Sequence, residues 1–241
     1  MNAPFDFQGR VALVAGGTGG LGRAVSLAFL EAGAAVAVTS RRREELEALA
    51  ADAGPAAARL SGHTVDVTDE AAVRALVGEL VGRHGRLDAL VNAVGGYAGG
   101  ARLWEADAAD FDRMLSLNLR PGVVLSRAAV PAMLAHGGGA IVNVASRSGT
   151  APGPGEAAYA ASKAAAIALI SSLAADLKGT NVRANSVLPS IIDTEANRKA
   201  MPKADFSKWP KPEEIARVIL FLCSEAAALV HGAAIPVYGH A

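Results

Sequence analysis

The stretch V-A-L-V-A-G-G-T-G-G-L-G, from Val11 to Gly22, predicts a strand, a glycine turn and the start of a helix. Its first five residues form an apolar run typical of a buried strand, and R-A-V-S-L-A-F-L-E-A-G follows with a helical pattern. The spacing of Gly16, Gly20 and Gly22 lets backbone N–H groups approach a pyrophosphate at the positive N-terminus of that helix. In this context the glycines favour a dinucleotide site over a merely tight turn.

The residues after the second predicted strand bear on which dinucleotide binds. That strand, A-V-A-V-T-S, ends at Ser40 and is followed by Arg41, Arg42 and Arg43. An acidic residue at this strand end would bind the ribose 2′-OH of NAD, whereas an arginine can take the 2′-phosphate of NADP. We therefore predict NADP(H) in preference to NAD(H). Alternatively R-R-R-E-E-L-E is a solvated helix start with i, i+4 charge pairs, which we expect for at least one of these arginines.

Strands and helices continue to alternate along the chain, which predicts an α/β fold. The further predicted strands are S-G-H-T-V-D-V, L-D-A-L-V-N-A, G-G-G-A-I-V-N-V-A-S, N-V-R-A-N-S-V-L-P and A-A-I-P-V-Y. Asp66 and Val67, at the end of the third strand, would flank an adenine, although Asp66 could equally be a helix N-cap. The segment from Asn92 to Gly96 would leave room for the cofactor to lie against the backbone.

A hydroxyl, a phenol and an amine follow at suggestive spacings. Tyr159 and Lys163 lie four residues apart in the alanine-rich run A-A-Y-A-A-S-K-A-A-A-I, so they share a helix face. An ammonium near a phenol favours the phenolate and would lower the pKa of Tyr159 towards the range of a general acid or base. Ser146 ends the fifth strand, where its hydroxyl could meet the same substrate oxygen. The alternative is a chance Y-x-x-x-K spacing on an ordinary helix.

Two further segments carry open alternatives. A single helical run is predicted from Phe111 to His136, and its polar Asn118 is either a structural hydrogen-bonding residue or the anchor of a proton relay. The stretch from Ser190 to Pro212 is rich in proline and basic residues and reads as a mobile loop or lid, which we expect to gate the substrate.

Composition excludes several classes of protein. The chain has 241 residues, 51% of them hydrophobic, so it can form one α/β domain over residues 1–241. Its 23 basic side chains are matched by 23 acidic ones, so it lacks the basic excess expected of a nucleic-acid-binding protein. Its single cysteine, Cys223, excludes an intramolecular disulfide, and no zinc-like spacing of Cys and His occurs. The start lacks signal-peptide features and no apolar run reaches spanning length, so we expect a soluble, cytoplasmic protein without a metal or a membrane partner.

Taken together, these motifs resemble the classical short-chain dehydrogenase/reductase family, and 3-oxoacyl reductases within it, from Gly9 to His240. The resemblance implies a single Rossmann-type domain, a three-layer sandwich with a seven-stranded parallel sheet. It also implies the catalytic set Asn118, Ser146, Tyr159 and Lys163. Departures from the family pattern are Ala15, which lacks a hydroxyl that braces the glycine turn, Ala93, which lacks an amide, and Pro189-Ser190 in place of Pro-Gly.

The same resemblance implies a mechanism and a set of cofactor contacts. NADPH would deliver hydride to a carbonyl carbon, Tyr159 would donate a proton to the alkoxide, and Ser146 would hydrogen-bond that oxygen. Lys163 would bind the nicotinamide ribose, and Asn118 would hold a water that connects Lys163 to solvent. The expected cofactor-binding residues are Gly16, Thr18, Gly20, Leu21, Gly22, Ser40, Arg41, Arg42, Asp66, Val67, Asn92, Ala93, Gly95, Tyr159, Lys163, Pro189, Ile192 and Thr194.

The substrate is left open by the sequence. Tyr97, Arg147, Glu156 and Trp209 lie in or near segments that should line the pocket, yet a 3-oxoacyl thioester, a simple ketone and a cyclic ketone all fit. The resemblance further implies a homo-oligomer, a tetramer or dimer, built on the helices around residues 111–136 and 156–178. The competing hypothesis is a non-catalytic NADP(H)-binding sensor or partner subunit on the same fold.

Overall fold

The computed structural model describes residues 5–240 and contains a parallel sheet whose strand order is β3-β2-β1-β4-β5-β6-β7. This confirms the predicted seven-stranded α/β fold. The strands are β1 Val11–Ala15, β2 Ala35–Ser40, β3 Leu60–Thr64, β4 Ala89–Asn92, β5 Gly139–Val144, β6 Val182–Pro189 and β7 Ala234–Val237. The helices are α1 Gly20–Glu31, α2 Arg43–Ala53, α3 Glu70–His84, α4 Ala108–Asn118, α5 Arg120–His136, α6 Ala157–Asp176, α7 Glu195–Ala200 and α8 Pro212–Cys223.

The central strands β1, β4 and β5 are buried on both faces of the sheet, to which their successive side chains point in turn. In β1, Ala12 and Val14 face a cluster that includes Phe29 of α1 and Ile219 of α8. Leu13, on the opposite face, joins a second cluster with residues of α3, α5 and α6. Two layers of helices therefore cover one sheet, which explains why β1 is apolar throughout.

The strand order reverses beside β1, and this reversal creates the crevice where a ligand can lie. β1 pairs with β2 on one side and with β4 on the other, so that Ala15 is in register with both Thr39 and Asn92. The chain leaves β1 and β4 in opposite directions. In open α/β sheets this switch point is where ligands bind, outside the carboxyl ends of the strands.

At three places the structure overturns an expectation of local structure or decides between two open alternatives. The expected helix from Phe111 to His136 is two helices, α4 and α5, because Pro121 has no N–H to donate to the carbonyl of Leu117 and the chain bends at Leu119. Asp66 does not cap α3; Asp69 does, accepting from the N–H groups of the first turn.

The third concerns the expected loop from Ser190 to Pro212. Part of it folds into α7, which Thr194 caps by accepting from the backbone N–H of Asn197 at 3.2 Å. A 3₁₀ turn at Phe206–Lys208 follows. Residues 195–200 and 206–208 of the expected loop are therefore helical, and the rest of it connects these turns without regular structure.

Helix α6 is the one helix among residues 5–240 that is long and apolar enough to cross a membrane by length and composition alone. It packs on α4 and β6, and it carries Lys163 in the protein interior. Buried helices of α/β domains have this composition, so we assign α6 to the core.

Candidate active site

A cavity of about 990 Å³ lies at the carboxyl ends of β1, β2 and β4. It has the size of a small-molecule site and coincides with the reversal of strand order. Most predicted residues of the pyrophosphate and adenosine regions line it: Gly16, Thr18, Ser40, Arg41, Arg42, Asp66, Val67, Ala93 and Gly95. The structure thus brings together three strand ends that the sequence separates by about eighty residues.

The glycine turn between β1 and α1 has the form that a pyrophosphate requires. Gly16 has a φ of 70°, which favours glycine, and a Cβ on Gly22 would overlap the carbonyl oxygen of Gly16. A Cβ on Gly20 would lie 2.7 Å from Cγ2 of Thr194. The turn therefore leaves backbone N–H groups open at the N-terminus of α1, and its residues fit a dinucleotide.

The hydroxyl of Thr39 holds the glycine turn, as Ala15, which has no hydroxyl, cannot. The backbone N–H of Gly16 donates to Oγ1 of Thr39 at 3.2 Å, from the neighbouring strand. Sequence analysis missed Thr39 because its partner lies across the sheet rather than within the motif. The register of Ala15 with Thr39 is the only signal for it, and that register is visible only in the sheet.

The end of β2 carries the three arginines, and they differ in their partners. Arg43 forms an exposed ion pair with Glu47 at 3.0 Å, as expected for a helix start. Arg42 is paired with Glu45. Arg41 is exposed, lines the cavity, and has no ion-pair partner within residues 5–240.

Glu45 was not among the predicted site residues, yet it occupies this end of the cavity. Its Oε2 accepts hydrogen bonds from Oγ1 of Thr18 at 2.8 Å and from Oγ of Ser40 at 2.6 Å. These hydrogen bonds and that of Arg42 lower the pKa of Glu45 to about 2. The signal available in the sequence was its place in the first turn of α2, five residues after Ser40.

At the adenine end, Asp66 folds its own turn instead of capping a helix. Its Oδ1 accepts from the backbone N–H and the hydroxyl of Thr68 at 2.9 and 2.7 Å. The hydrogen bond of the Thr68 backbone is the main cause that lowers the pKa of Asp66. Val67 beside it is buried and lines the cavity.

The end of β4 is fixed by amide hydrogen bonds. Nδ2 of Asn92 donates to Oδ1 of Asn143 at 2.8 Å, and Oδ1 of Asn92 accepts from the N–H of Val94 at 3.2 Å. Asn92 thus shapes the turn that follows rather than lining the cavity. A Cβ on Gly95 would lie 2.8 Å from Oδ1 of Asn118 and 3.1 Å from Nζ of Lys163, so this glycine is required sterically.

Ser146, Tyr159 and Lys163 come together beside the carboxyl end of β5. Ser146 is buried and its Oγ accepts from the N–H of Ser148 at 3.2 Å. Burial raises the pKa of Tyr159, and side-chain hydrogen bonding with Ser146 acts in the opposite direction. The phenol is therefore held in its protonated form.

Lys163 is buried and does not lower the pKa of Tyr159 in the way the sequence suggested. Its Nζ donates to the carbonyl oxygen of Val144 at 3.0 Å and lies 6.0 Å from the centroid of the Tyr159 ring. The ammonium is thus directed to the end of β5 rather than to the phenol oxygen. Burial lowers the pKa of Lys163 to about 8.

The Asn118 side chain is held by protein groups. Its Oδ1 accepts from the N–H of Gly96 at 2.9 Å, and its Nδ2 donates to the carbonyl of Gly96 at 3.1 Å and to Oγ of Ser162 at 3.0 Å. These contacts join α4 to the turn after β4 and to α6. These contacts support the structural role of Asn118, and its role as the anchor of a proton relay stays a prediction.

The segment after β6 covers the glycine turn from the other side. Thr194 lies against Gly20, and Ile192 packs on the hydrophobic cluster of α1 and α8. Pro189 ends β6, and Oγ of Ser190 donates to the carbonyl of Tyr238 at 2.7 Å. Thr194 therefore lies beside the glycine turn, and the roles of Thr194, Ile192 and Pro189 towards the cofactor stay predictions.

Of the four side chains expected to line the substrate pocket, Tyr97 lies against the catalytic candidates. Its ring packs edge-on to Tyr159 with 4.9 Å between centroids, and it is 61% exposed. The carbon Cζ of Arg147 lies 5.7 Å from the centroid of the Tyr238 ring, and Glu156 accepts from the N–H of Gly153 at 2.9 Å. Trp209 is buried against Phe206 and belongs to the packing of its own segment.

This arrangement can transfer a proton beside a bound dinucleotide. A protonated phenol, a neighbouring hydroxyl and a buried ammonium line the end of β5, close to the turn of Gly95 that closes the cavity. Within residues 5–240, no group of three or more His, Cys, Asp and Glu side chains could hold a metal ion. The phenol, the hydroxyl and the ammonium at the end of β5 fit acid–base assistance of hydride transfer.

Comparisons with known proteins match this chain over most of its length. The family model for short chain dehydrogenases matches residues 10–205. The chain is 33% identical to the 3-oxoacyl-(acyl-carrier-protein) reductase FabG of Thermotoga maritima, over 96% of this chain and 97% of that protein. It is 37% identical to the D-threitol dehydrogenase of Mycolicibacterium smegmatis, over 99% and 96%.

Solved structures share the fold and differ in the dinucleotide. The structure of ElxO with NADP bound has a TM-score of 0.90 at 29% identity, and the match covers 95% of this chain and 97% of that one. NAD+-bound xylitol dehydrogenase has a TM-score of 0.88 at 28% identity, with 97% and 99% covered. A nicotinamide dinucleotide is therefore the cofactor class. The chain belongs to the short-chain dehydrogenase/reductase family and has 3-oxoacyl reductases among its relatives.

Proposed function

We propose that the protein, one domain over residues 1–241, is a soluble cytoplasmic NADP(H)-dependent oxidoreductase that interconverts a carbonyl and a secondary alcohol. The substrate we propose is a ketone or a 3-oxoacyl compound. The observation that carries the proposal is the convergence of Tyr159, Ser146 and buried Lys163 at the end of β5, beside a glycine-lined cavity. The bound nicotinamide ring supplies or accepts the hydride.

Each catalytic candidate has a role that its surroundings support. The raised pKa of Tyr159 keeps the phenol protonated, so that it can donate to the oxygen of a carbonyl under reduction. The hydroxyl of Ser146, which interacts with Tyr159, hydrogen-bonds the same oxygen. Lys163 binds the nicotinamide ribose from the interior, and Asn118 fixes the turn of Gly96 against α4 and α6.

The preference for NADP(H) rests on the end of β2. Ser40 stands where an acidic residue would bind a ribose 2′-OH, and Arg41 lines the cavity without an ion-pair partner among residues 5–240. We expect Arg41→Ala to raise the Kd for NADPH about tenfold or more and to leave the Kd for NADH within about twofold. Arg43→Ala is the matched control, because Arg43 is already paired with Glu47. Equal losses for the two dinucleotides would refute the NADP(H) assignment.

The substrate class is tested by NADPH consumption across simple ketones, cyclic ketones and 3-oxoacyl thioesters, with the matching alcohols and NADP+ for the reverse reaction. We expect turnover on at least one of these classes. Tight NADPH binding without turnover on any member would instead support the non-catalytic sensor. We also infer a homotetramer or homodimer, which light scattering of the purified protein tests; a monomer at micromolar concentration would contradict it.

A further inference from the structure

Three donors of the cofactor cavity converge on a carboxylate that belongs to the chain itself. Thr18 lies on the glycine turn, Ser40 ends β2 and Arg42 precedes α2, and all three bind Glu45. We call Thr18, Ser40 and Arg42 the 2′-cradle. Ser40 and Arg42 precede Glu45 by only five and three residues, whereas Thr18 lies 27 residues earlier, on the glycine turn. The contact with Thr18 makes this an anion position at the cavity and not only a local pair of Arg42 and Glu45.

The carboxylate in this position is permanently charged and well fixed. The two hydroxyl donors lie at 2.8 and 2.6 Å from Oε2, and the guanidinium of Arg42 binds Oε1. Glu45 retains its charge at any pH near neutrality, because those hydrogen bonds lower its pKa to about 2. Its side chain is 33% exposed, so a ligand that enters the cavity can reach it.

A 2′-phosphate would need the same donors. In this fold the adenosine ribose lies between the glycine turn and the end of β2, which is where the 2′-cradle stands. Hydroxyl and guanidinium groups bind phosphate oxygens as readily as carboxylate oxygens. A phosphate bound in the 2′-cradle would lie beside the Glu45 carboxylate and be repelled by it, whereas an unphosphorylated ribose can donate its 2′-OH to Glu45.

We propose that Glu45 determines cofactor specificity: its carboxylate competes with a 2′-phosphate for the 2′-cradle and accepts a hydrogen bond from an unphosphorylated ribose, so that NAD(H) is used alongside NADP(H). This inference rests on the proposed function of the cavity as a dinucleotide site. Arg41 attracts the phosphate and Glu45 opposes it. The opposing effects of the two residues, and not Arg41 alone, set the preference between NADP(H) and NAD(H).

Two adenosine nucleotides isolate the effect of the 2′-phosphate without requiring turnover. Adenosine 2′,5′-bisphosphate and adenosine 5′-monophosphate are titrated by calorimetry into the wild type, Glu45→Gln and Glu44→Gln. Glu44 is exposed on the same helix turn, so its variant removes an equal charge beside the cavity and outside the 2′-cradle. Thermal unfolding confirms that the variants are folded, and Glu45→Ala repeats the test without an amide.

We expect Glu45→Gln to bind the bisphosphate about tenfold more tightly than the wild type does, and the monophosphate equally or slightly more weakly. Glu44→Gln should change neither affinity by more than about twofold. An unchanged or weaker affinity of both Glu45 variants for the bisphosphate would overturn the inference, as would an equal gain in Glu44→Gln. The dinucleotide site on which the inference rests would still stand in those cases, since that site fails only if the wild type binds neither NADPH nor NADH.

Discussion

Replacing Lys163 by methionine should make the protein more stable while it removes a catalytic candidate. Lys163 is 5% exposed, and its Nζ has one protein hydrogen bond, to the carbonyl of Val144. Methionine has a similar length and no charge, so it can fill the same space in α6. The substitution therefore removes the cost of burying an ammonium and the hydrogen bond to β5.

The two effects can be compared through the pKa of Lys163. Burial lowers that pKa from 10.5 to about 8. A difference of about 2.5 units, at about 1.4 kcal/mol per unit, is a cost of about 3 kcal/mol to the folded state at neutral pH. The lost hydrogen bond offsets about 1 kcal/mol. We expect the free energy of unfolding of Lys163→Met at pH 7 to exceed that of the wild type by about 2 kcal/mol.

This advantage should depend on pH. Between pH 8 and 10.5 the unfolded chain binds more protons at Lys163 than the folded protein does, so the wild type gains stability as the pH rises through this window. The variant has no such gain. The difference in the free energy of unfolding between Lys163→Met and the wild type should fall from about 2 kcal/mol at pH 7 to near zero at pH 9.5.

Urea denaturation of the cofactor-free protein at pH 7 and pH 9.5, at one protein concentration, measures both values. Lys178→Met is the control, because Lys178 is exposed just beyond the end of α6. Its effect should be small and equal at the two pH values. A destabilised Lys163→Met, or a difference from the wild type that does not change with pH, would refute the reasoning about the buried ammonium.

Two further substitutions test the scaffold of the site. Gly22→Ala places a methyl group against the carbonyl of Gly16 and should abolish NADPH binding, measured by fluorescence titration. The circular dichroism spectrum should stay close to that of the wild type. Normal binding would mean that the turn has another form. Asn118→Ala removes three hydrogen bonds to Gly96 and Ser162 and should lower the free energy of unfolding by about 2–3 kcal/mol; an unchanged urea midpoint would show that these bonds are dispensable.

The fold could be predicted because its signals are local. The strands β1, β2, β4 and β5 contain short apolar runs, and the glycine turn of Gly16 to Gly22 places the first βαβ unit without knowledge of the rest of the chain. The features that could not be predicted are those in which local hydrogen bonds compete with contacts to distant parts of the chain. The helical pattern from Phe111 to His136 predicts one helix through Pro121, whereas the N–H that Pro121 lacks is enough to divide α4 from α5.

The candidate site was predicted in its residue types more than in its contacts. The positions of Ser146, Tyr159 and Lys163 follow from their spacing, but the direction of the Lys163 ammonium depends on a strand carbonyl across the fold. The role of Glu45 was hidden for a similar reason. The sequence places its charge in a solvated helix start, and only the hydrogen bond from the hydroxyl of Thr18 on the glycine turn shows that it faces the cavity.

The most direct test of the central claim is the reaction of Tyr159→Phe, with the substrate that the wild type reduces best. We predict that kcat/KM falls about a thousandfold while the Kd for NADPH stays within about threefold, because the variant loses only the proton that the phenol donates. Tyr238→Phe, which removes a hydroxyl from another partly buried tyrosine, is the control and should keep its activity. Turnover of Tyr159→Phe at the wild-type rate would contradict the account.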